Sequence, residues 1–398
     1  MAPGPALPRL VHVTTVPESL WAFFTGQIRH MVAHGLHVEA VSSPGRFLDL
    51  FAASEGAPVH AVPMARRPSP VADLVSLVRL VLLLRRLRPD IVHAHTPKAG
   101  LLAMLAARFL RVPVRIYHIH GFPFLTATGL RRALLRGAEA VACRAATRVL
   151  CVSRSVAEAA VREGVCGGKP VGVPAAGLFN GIDATARFSP ERAGADARAQ
   201  CRARLGIPAD ARVVGFVGRL VRDKGVVELA AAWTTLARSD PKLHLLACGA
   251  AEADDAVPPA VMDALRADPR VHLAGEVLEI PPYYAAMDVL ALPSYREGFP
   301  LVPMEAAAMA LPVVATRVPG CVDAVIDGVT GTLVAAGDAD GLAGALRRYL
   351  DDARLGAEHG AAARARVLAE FRQEVVWDAL LLEYRALLSA AGRPWSGR

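Results

Sequence analysis

Short runs of β-branched and aliphatic residues alternate along this chain with longer stretches in which apolar residues return every three or four positions. In the first half, the runs at 10–13, 38–41, 59–62, 91–94, 114–118 and 149–152 predict strands. Between them, helical spacing covers 18–34, 73–87, 98–110 and 131–147. Alternation of this kind means βαβ units, a parallel sheet covered by helices on both faces. The pattern pauses over 167–188, rich in Gly, Pro and Ala, which reads as a linker. It then restarts, with strands predicted at 213–217, 243–248, 271–274, 289–292 and 313–315. The expected fold class is therefore α/β, with two doubly wound, Rossmann-like domains in tandem over 1–178 and 179–372. No repeat with a period of 20–50 residues occurs in either half, which excludes a solenoid.

Composition agrees with this reading. The 398 residues suffice for two domains with a core each, and 53% hydrophobic with 21% charged residues is a globular balance. The longest aliphatic run, Leu80-Val81-Leu82-Leu83-Leu84, falls far short of the roughly 20 residues that cross a bilayer. Residues 1–9 show no charged-then-apolar signal pattern. Six scattered cysteines without a C-x-x-C pair read as buried thiols, and the expected compartment is the cytoplasm.

Charge is more informative. Residues 1–178 carry 21 Lys and Arg against 9 Asp and Glu, a net of +12, which leaves −4 for the rest of the +8 chain. The N-terminal half is thus expected to face something anionic, either a membrane surface or a phosphate-bearing acceptor. Nucleic acid is disfavoured, because the arginines are not interleaved with aromatics and no nucleic-acid motif appears. The plainer alternative is that these arginines only solvate helix faces.

In open α/β sheets ligands lie beyond the carboxyl ends of the strands, so chemistry is sought in the loops that follow them. One such loop is Gly215-Phe216-Val217-Gly218-Arg219-Leu220, continued by Asp223-Lys224-Gly225. Glycine lets backbone approach a ligand, Arg219 and Lys224 can clamp a diphosphate, and a helix starting near Val226 adds its positive end. Two exposed cations before a helix are also common without any ligand. A second loop runs from Pro293 through Glu297-Gly298-Phe299-Pro300-Leu301-Val302-Pro303-Met304 to Glu305, with a helix expected from about Pro303. Glu297 in the loop and Glu305 in the first helical turn can face one pocket, accepting bonds from sugar hydroxyls, while free helix-start amides hold phosphate. Glu305 could equally be an ordinary helix-start acid. A third loop is Tyr117-His118-Ile119-His120-Gly121-Phe122. Its two histidines are read as pointing to opposite faces, which argues against their sharing one metal; His120 is the better placed for a cleft, with a satisfied core histidine as the alternative. The fourth, Val92-His93-Ala94-His95-Thr96-Pro97-Lys98, offers a cation and a hydroxyl.

Together these loops resemble family-4 retaining glycosyltransferases of the GT-B fold. The likeness rests on Gly-Arg-Leu…Lys-Gly at 218–225, on the Glu-x7-Glu pattern from Glu297 to Glu305, on His120-Gly121-Phe122, and on Asn180-Gly181-Ile182-Asp183. It spans nearly the whole chain. It implies two domains facing a central cleft, with a last helix within 373–398 crossing back to the N-terminal domain. It also implies donor contacts residue by residue. Arg219 and Lys224, with Gly218 beside them, would neutralise the diphosphate, and Glu297 would hold sugar hydroxyls. Glu305 would take the ribose, and the backbone of Phe299, Leu301 and Val302 would bind sugar and phosphate, Pro300 having no N–H to give. Val277 would lie by the base, and His120 near the reacting carbon. The implied donor is a nucleotide-diphosphate sugar, with a UDP-sugar expected, although no residue separates UDP from GDP. His95-Thr96-Pro97-Lys98-Ala99-Gly100 with Ser42-Ser43-Pro44-Gly45 resembles enzymes that build bacterial surface polysaccharide on polyprenyl diphosphate. Thr15 and Lys98 are accordingly placed on the acceptor side, with peripheral contact at the inner face of an anionic membrane. Many members of the family carry a Gly-Gly pair in the first strand-to-helix loop; here Thr14-Thr15-Val16-Pro17 stands instead.

No carboxylate nucleophile presents itself, so a front-face transfer aided by the leaving phosphate is expected rather than the two-carboxylate scheme of glycoside hydrolases. No metal is expected where cationic side chains do its work, and Asp338-Ala339-Asp340 reads as a helix N-cap. A dehydrogenase is excluded by the lack of G-x-G-x-x-G. Two alternatives stay open: a sugar-nucleotide epimerase of the same fold, and a non-catalytic polybasic membrane adaptor.

Overall fold

Seven parallel strands make the first sheet: β1 (Arg9–Val13), β2 (His37–Ser42), β3 (Val59–Ala61), β4 (Ile91–His95), β5 (Val114–Ile119), β6 (Arg148–Cys151) and β7 (Val171–Gly172). Their spatial order is β3-β2-β1-β4-β5-β6-β7. Six parallel strands make the second: β8 (Arg212–Val217), β9 (Leu243–Cys248), β10 (Val271–Gly275), β11 (Val289–Leu292), β12 (Val313–Thr316) and β13 (Gly331–Val334), in the order β10-β9-β8-β11-β12-β13. The computed structural model describes residues 7–395 except 195 and 254, so most of the 1–9 stretch and the last three residues of 373–398 lie outside the described residues. The chain divides into two compact units, Met1–Gly181 with Gln373–Arg398, and Ile182–Arg372.

Burial explains why the strands were legible. Every residue of β4, β9, β11 and β12 is buried, as a parallel strand covered on both faces demands. The helices Pro70–Leu87, Pro97–Phe109 and Gly129–Ala145 pack in sequence, the second against both others. All six cysteines are buried and free.

Several expectations need correction. The stretch 18–34 is two helices, Pro17–Phe24 and Gln27–Ala33, broken at Thr25-Gly26. Gly26 has φ 84°, and a Cβ there would lie 2.8 Å from the Trp377 ring, so the break is imposed by a helix from the far end of the chain. The 167–188 stretch is not all linker, since β7 forms inside it at the sheet edge. Strand β13 and the helix Arg46–Glu55 were not anticipated.

The last helix, Gln373–Ala390, packs within the first unit. Trp377 Nε1 donates to Asn180 Oδ1 at 2.8 Å, and Asn180 Nδ2 donates to the carbonyl of Thr25 at 3.1 Å. Asp338 caps the helix Ala339–Asp351 by accepting from the Gly341 N–H at 2.8 Å, as expected.

Candidate active site

In each sheet the strand order reverses at one place, between β1 and β4 and between β8 and β11. The carboxyl ends of such a pair splay their loops apart, which is where a doubly wound sheet offers a ligand crevice. In the second unit the β8 loop carries Gly218, Arg219 and Lys224, and the β11 loop carries Glu297 and Phe299. The two anion- and sugar-type loops of the sequence thus flank one switch point.

Backbone packing locks these loops together. Gly225 has φ 71°, and a Cβ on it would stand 2.0 Å from the carbonyl oxygen of Pro293. Only glycine fits, so the start of helix Val226–Ala237 presses directly on the β11 loop. The Tyr295 N–H donates to the carbonyl of Asp223 at 2.9 Å, and Arg296 pairs with Asp223. Lys224 ends a short 3-10 turn, Arg222–Lys224, and its Nζ lies 2.5 Å from Glu297 Oε1. Their side chains are only 22% and 10% exposed. Arg219 pairs with Glu252 at 2.6 Å but is 51% exposed, and exposed pairs are worth at most about 1 kcal/mol. Exchanging Glu252 for a diphosphate therefore costs Arg219 little.

The helix after β11 begins at Leu301 with Pro300 before it, two residues earlier than expected. Glu305 consequently lies in the second turn rather than the first. Its Oε2 accepts from Tyr284 Oη at 2.7 Å, and burial raises the Glu305 pKa. The helix-start amides of Leu301 and Val302 have no carbonyl one turn back within the helix, so they remain donors for an anion. Phe299 meets Phe371 edge to face at 5.5 Å. Val277 is half-buried just beyond β10.

The first unit holds the other candidates. Thr15 Oγ1 lies 2.8 Å from Thr96 Oγ1 and accepts from the Ala99 N–H at 3.2 Å, joining the β1 and β4 loops at their switch point. Lys98 is tied to Asp73 Oδ1 and the Arg67 carbonyl, both at 2.6 Å, so its charge is already matched by helix Pro70–Leu87.

The reading of His118 and His120 as facing apart is wrong. Residues two apart in extended chain share a face, and their rings lie 5.2 Å apart. Parallel register then brings in His12 beside His93, and His95 beside His118. The result is a five-histidine cluster on β1, β4 and β5 and the residue just after β5. His12 Nδ1 is 3.2 Å from His95 Nε2, and His95 Nδ1 is 3.1 Å from His120 Nε2. His93 Nε2 is 3.2 Å from His118 Nδ1, and His93 Nδ1 is 2.7 Å from Tyr384 Oη. Phe23 stacks on His120. Burial lowers all five pKa values, to about 3 for His12 and His120, so the rings are neutral near pH 7. Two H-x-H pairs at neighbouring strand ends were the sequence signal for this cluster; strand order, needed to join them, was not.

Comparisons with known proteins agree with the loops. The family model for the glycosyl transferase 4-like domain matches residues 19–175, and that for glycosyl transferases group 1 matches 211–352. The capsular polysaccharide biosynthesis glycosyltransferase CapM of Staphylococcus aureus is 30% identical over 380 residues, covering 96% of this chain and 97% of CapM. An Escherichia coli enzyme, UDP-Gal:alpha-D-GlcNAc-diphosphoundecaprenol alpha-1,3-galactosyltransferase, is 28% identical over 73% of each chain. Among solved structures, HepE of Anabaena in complex with UDP superposes with a TM-score of 0.77 at 22% identity, over 96% of this chain and all of HepE. With one model on each unit and a relative alike along its whole length, the chain belongs to the group 1, family-4-like glycosyltransferases.

Proposed function

We propose that the protein transfers a sugar, with retention, from a UDP-sugar to a polyprenyl-diphosphate-linked saccharide during surface polysaccharide synthesis. The observation that carries the donor half is the Lys224–Glu297 pair at the β8/β11 switch point, with the exposed Arg219 on the β8 loop and the helix-start amides of Leu301 and Val302 after β11. Arg219 and Lys224 stabilise the diphosphate as the bond from the anomeric carbon to its oxygen breaks. Glu297 accepts hydroxyls of the donor sugar, and Glu305, oriented by Tyr284, takes the ribose. The acceptor oxygen bonds to the same face of the oxocarbenium-like sugar, and its proton leaves on the departing phosphate. Fixed cations do the work of a metal here, so transfer proceeds without magnesium. The choice of UDP, and of a diphosphopolyprenol-linked acceptor, is supported by the name of the E. coli relative. Surface polysaccharide is supported by that of CapM.

The first unit supports contact with a membrane. No helix among the described residues is long and apolar enough to cross one. Helix Pro70–Leu87, however, exposes Val71, Leu74, Val75, Val78 and Leu82 along one stripe, with Arg79, Arg85 and Arg86 exposed on the same helix. Helix Gly129–Ala145 adds exposed Leu130 and Leu134 beside Arg131 and Arg136. Apolar residues ringed by arginine suit an anionic headgroup layer, each cation near the surface adding about 1 kcal/mol.

A thermal-shift screen against nucleoside diphosphates and their sugars tests the donor. UDP or a UDP-sugar should raise the unfolding midpoint equally with and without magnesium, and Lys224→Ala should abolish the shift. A shift with GDP alone overturns the donor assignment. The membrane contact has its own test in vesicle sedimentation. Binding to phosphatidylglycerol vesicles should fall at least tenfold in the double variant Leu74→Glu/Leu82→Glu, and equal sedimentation of both proteins would refute it.

A further inference from the structure

The proposed transfer gives no task to most of the histidine cluster, and the cluster is a costly thing to bury. His12 Nε2 and His118 Nε2 have no hydrogen-bond partner although both residues are fully enclosed. Leaving such an atom unpaired carries the full desolvation penalty of the group.

The tautomers of these rings decide what the arrangement can hold. A neutral imidazole has one N–H and one lone pair. If His118 donates from Nδ1 to His93 Nε2, His93 in turn donates from Nδ1 to Tyr384 Oη, and His118 Nε2 is left as a bare lone pair. If His95 donates from Nε2 to His12 Nδ1, its Nδ1 lone pair is turned toward His120 Nε2. One ring nitrogen each from His95, His118 and His120 lies within 4.8 Å of the other two. Tetrahedral zinc, with Zn–N bonds of about 2.0–2.1 Å, sets its ligand nitrogens roughly 3.3 Å apart. The His95–His120 separation of 3.1 Å is close to that spacing.

We propose that His95, His118 and His120 form a binding site for one divalent transition metal ion of the zinc type. The supports behind the ligands are of the kind such sites use, in which each ligating ring donates its other N–H to a fixed acceptor. His12 fills that place for His95, and His93 with Tyr384 fills it for His118. His120 is half-buried rather than fully enclosed, which gives the ion an entry and leaves a fourth position for water or an added ligand. The neighbouring triad His12, His93 and His95 is fully buried, and both nitrogens of His93 are already bonded. Three imidazoles suit zinc, nickel or copper and do not suit magnesium, so the ion held here differs from the magnesium that the proposed transfer does without.

The test uses the full chain without a metal-binding tag, stripped with chelator and titrated with Co2+ and with Zn2+ in the absence of substrates. The expected results are one equivalent bound, a visible Co2+ absorption of tetrahedral strength, and a raised unfolding midpoint with Zn2+. His118→Gln and His120→Gln should each lose the Co2+ band, and Tyr384→Phe should weaken binding about 10–100-fold. His30→Gln, in the exposed His30/His34/Asp378 group, should bind as wild type. Absence of stoichiometric metal, or unchanged binding in His120→Gln, overturns the proposal. Should His118→Gln not fold, His120→Gln decides alone. Because no nucleotide or sugar is present, failure here leaves the transfer reading untouched, and failure of transfer leaves the metal result intact.

Discussion

Lys224→Ala is expected to lower kcat/KM for sugar transfer about a thousandfold while the protein stays folded. Removing one fixed donor aimed at developing charge costs about 10²–10³ in rate in comparable sites. Lys224 is as fixed as a lysine can be. Its backbone ends a 3-10 turn, the next residue is pinned against Pro293, and its ammonium is held by Glu297. The same pairing poses a rival explanation, that the loss reflects a carboxylate left without its partner rather than a missing catalytic charge. A double-mutant cycle separates the two. If Lys224 served only to neutralise the carboxylate, adding Lys224→Met to Glu297→Gln would cost no further activity beyond Glu297→Gln alone. The expected outcome is a midpoint no lower than that of Glu297→Gln with a further loss of activity on the order of a hundredfold. Transfer within tenfold of wild type in Lys224→Ala would remove this lysine from the site.

The strands were readable because a parallel strand covered on both faces must be apolar throughout, and such runs stand out in sequence. What escaped was local structure decided from far away. The break at Gly26 exists because the Trp377 ring occupies the space a side chain would need, a contact across the length of the chain. Strand β7 has two residues and β13 includes glycine and threonine, so neither carries an apolar run. In the second unit the two loops were recognised, but their meeting depends on β8 lying beside β11, which strand order alone determines. Tyr284 as the partner of Glu305 was equally hidden, since the two are 21 residues apart on different elements. The histidines show both sides. Their types and spacing were in plain view, yet a misapplied period of two set His118 against His120. Five neutral rings became one cluster only when β1, β4 and β5 were laid side by side.

Deleting 373–398 should prevent the first unit from folding stably. Helix Gln373–Ala390 buries Val376, Trp377, Leu380, Leu381, Tyr384 and Leu388. At about 1.5–3 kcal/mol per fully buried large apolar side chain, their combined loss is on the order of 10 kcal/mol, comparable with the whole stability of an ordinary domain. Polar losses add to it. Asn180 would lose the Trp377 N–H, His93 the Tyr384 hydroxyl, Arg148 its partner Glu383, and His30 its partner Asp378. Far-ultraviolet circular dichroism of the truncated chain should show one surviving cooperative transition, from the second unit, and the dye ANS should bind strongly. Trp377→Ala offers a graded version of the same test. It removes one ring and one hydrogen bond, and should destabilise the first unit by about 3–5 kcal/mol. A truncated chain that melts like the intact protein would show that this helix merely rests on the first unit, and the packing around Gly26 and Asn180 would then need another explanation.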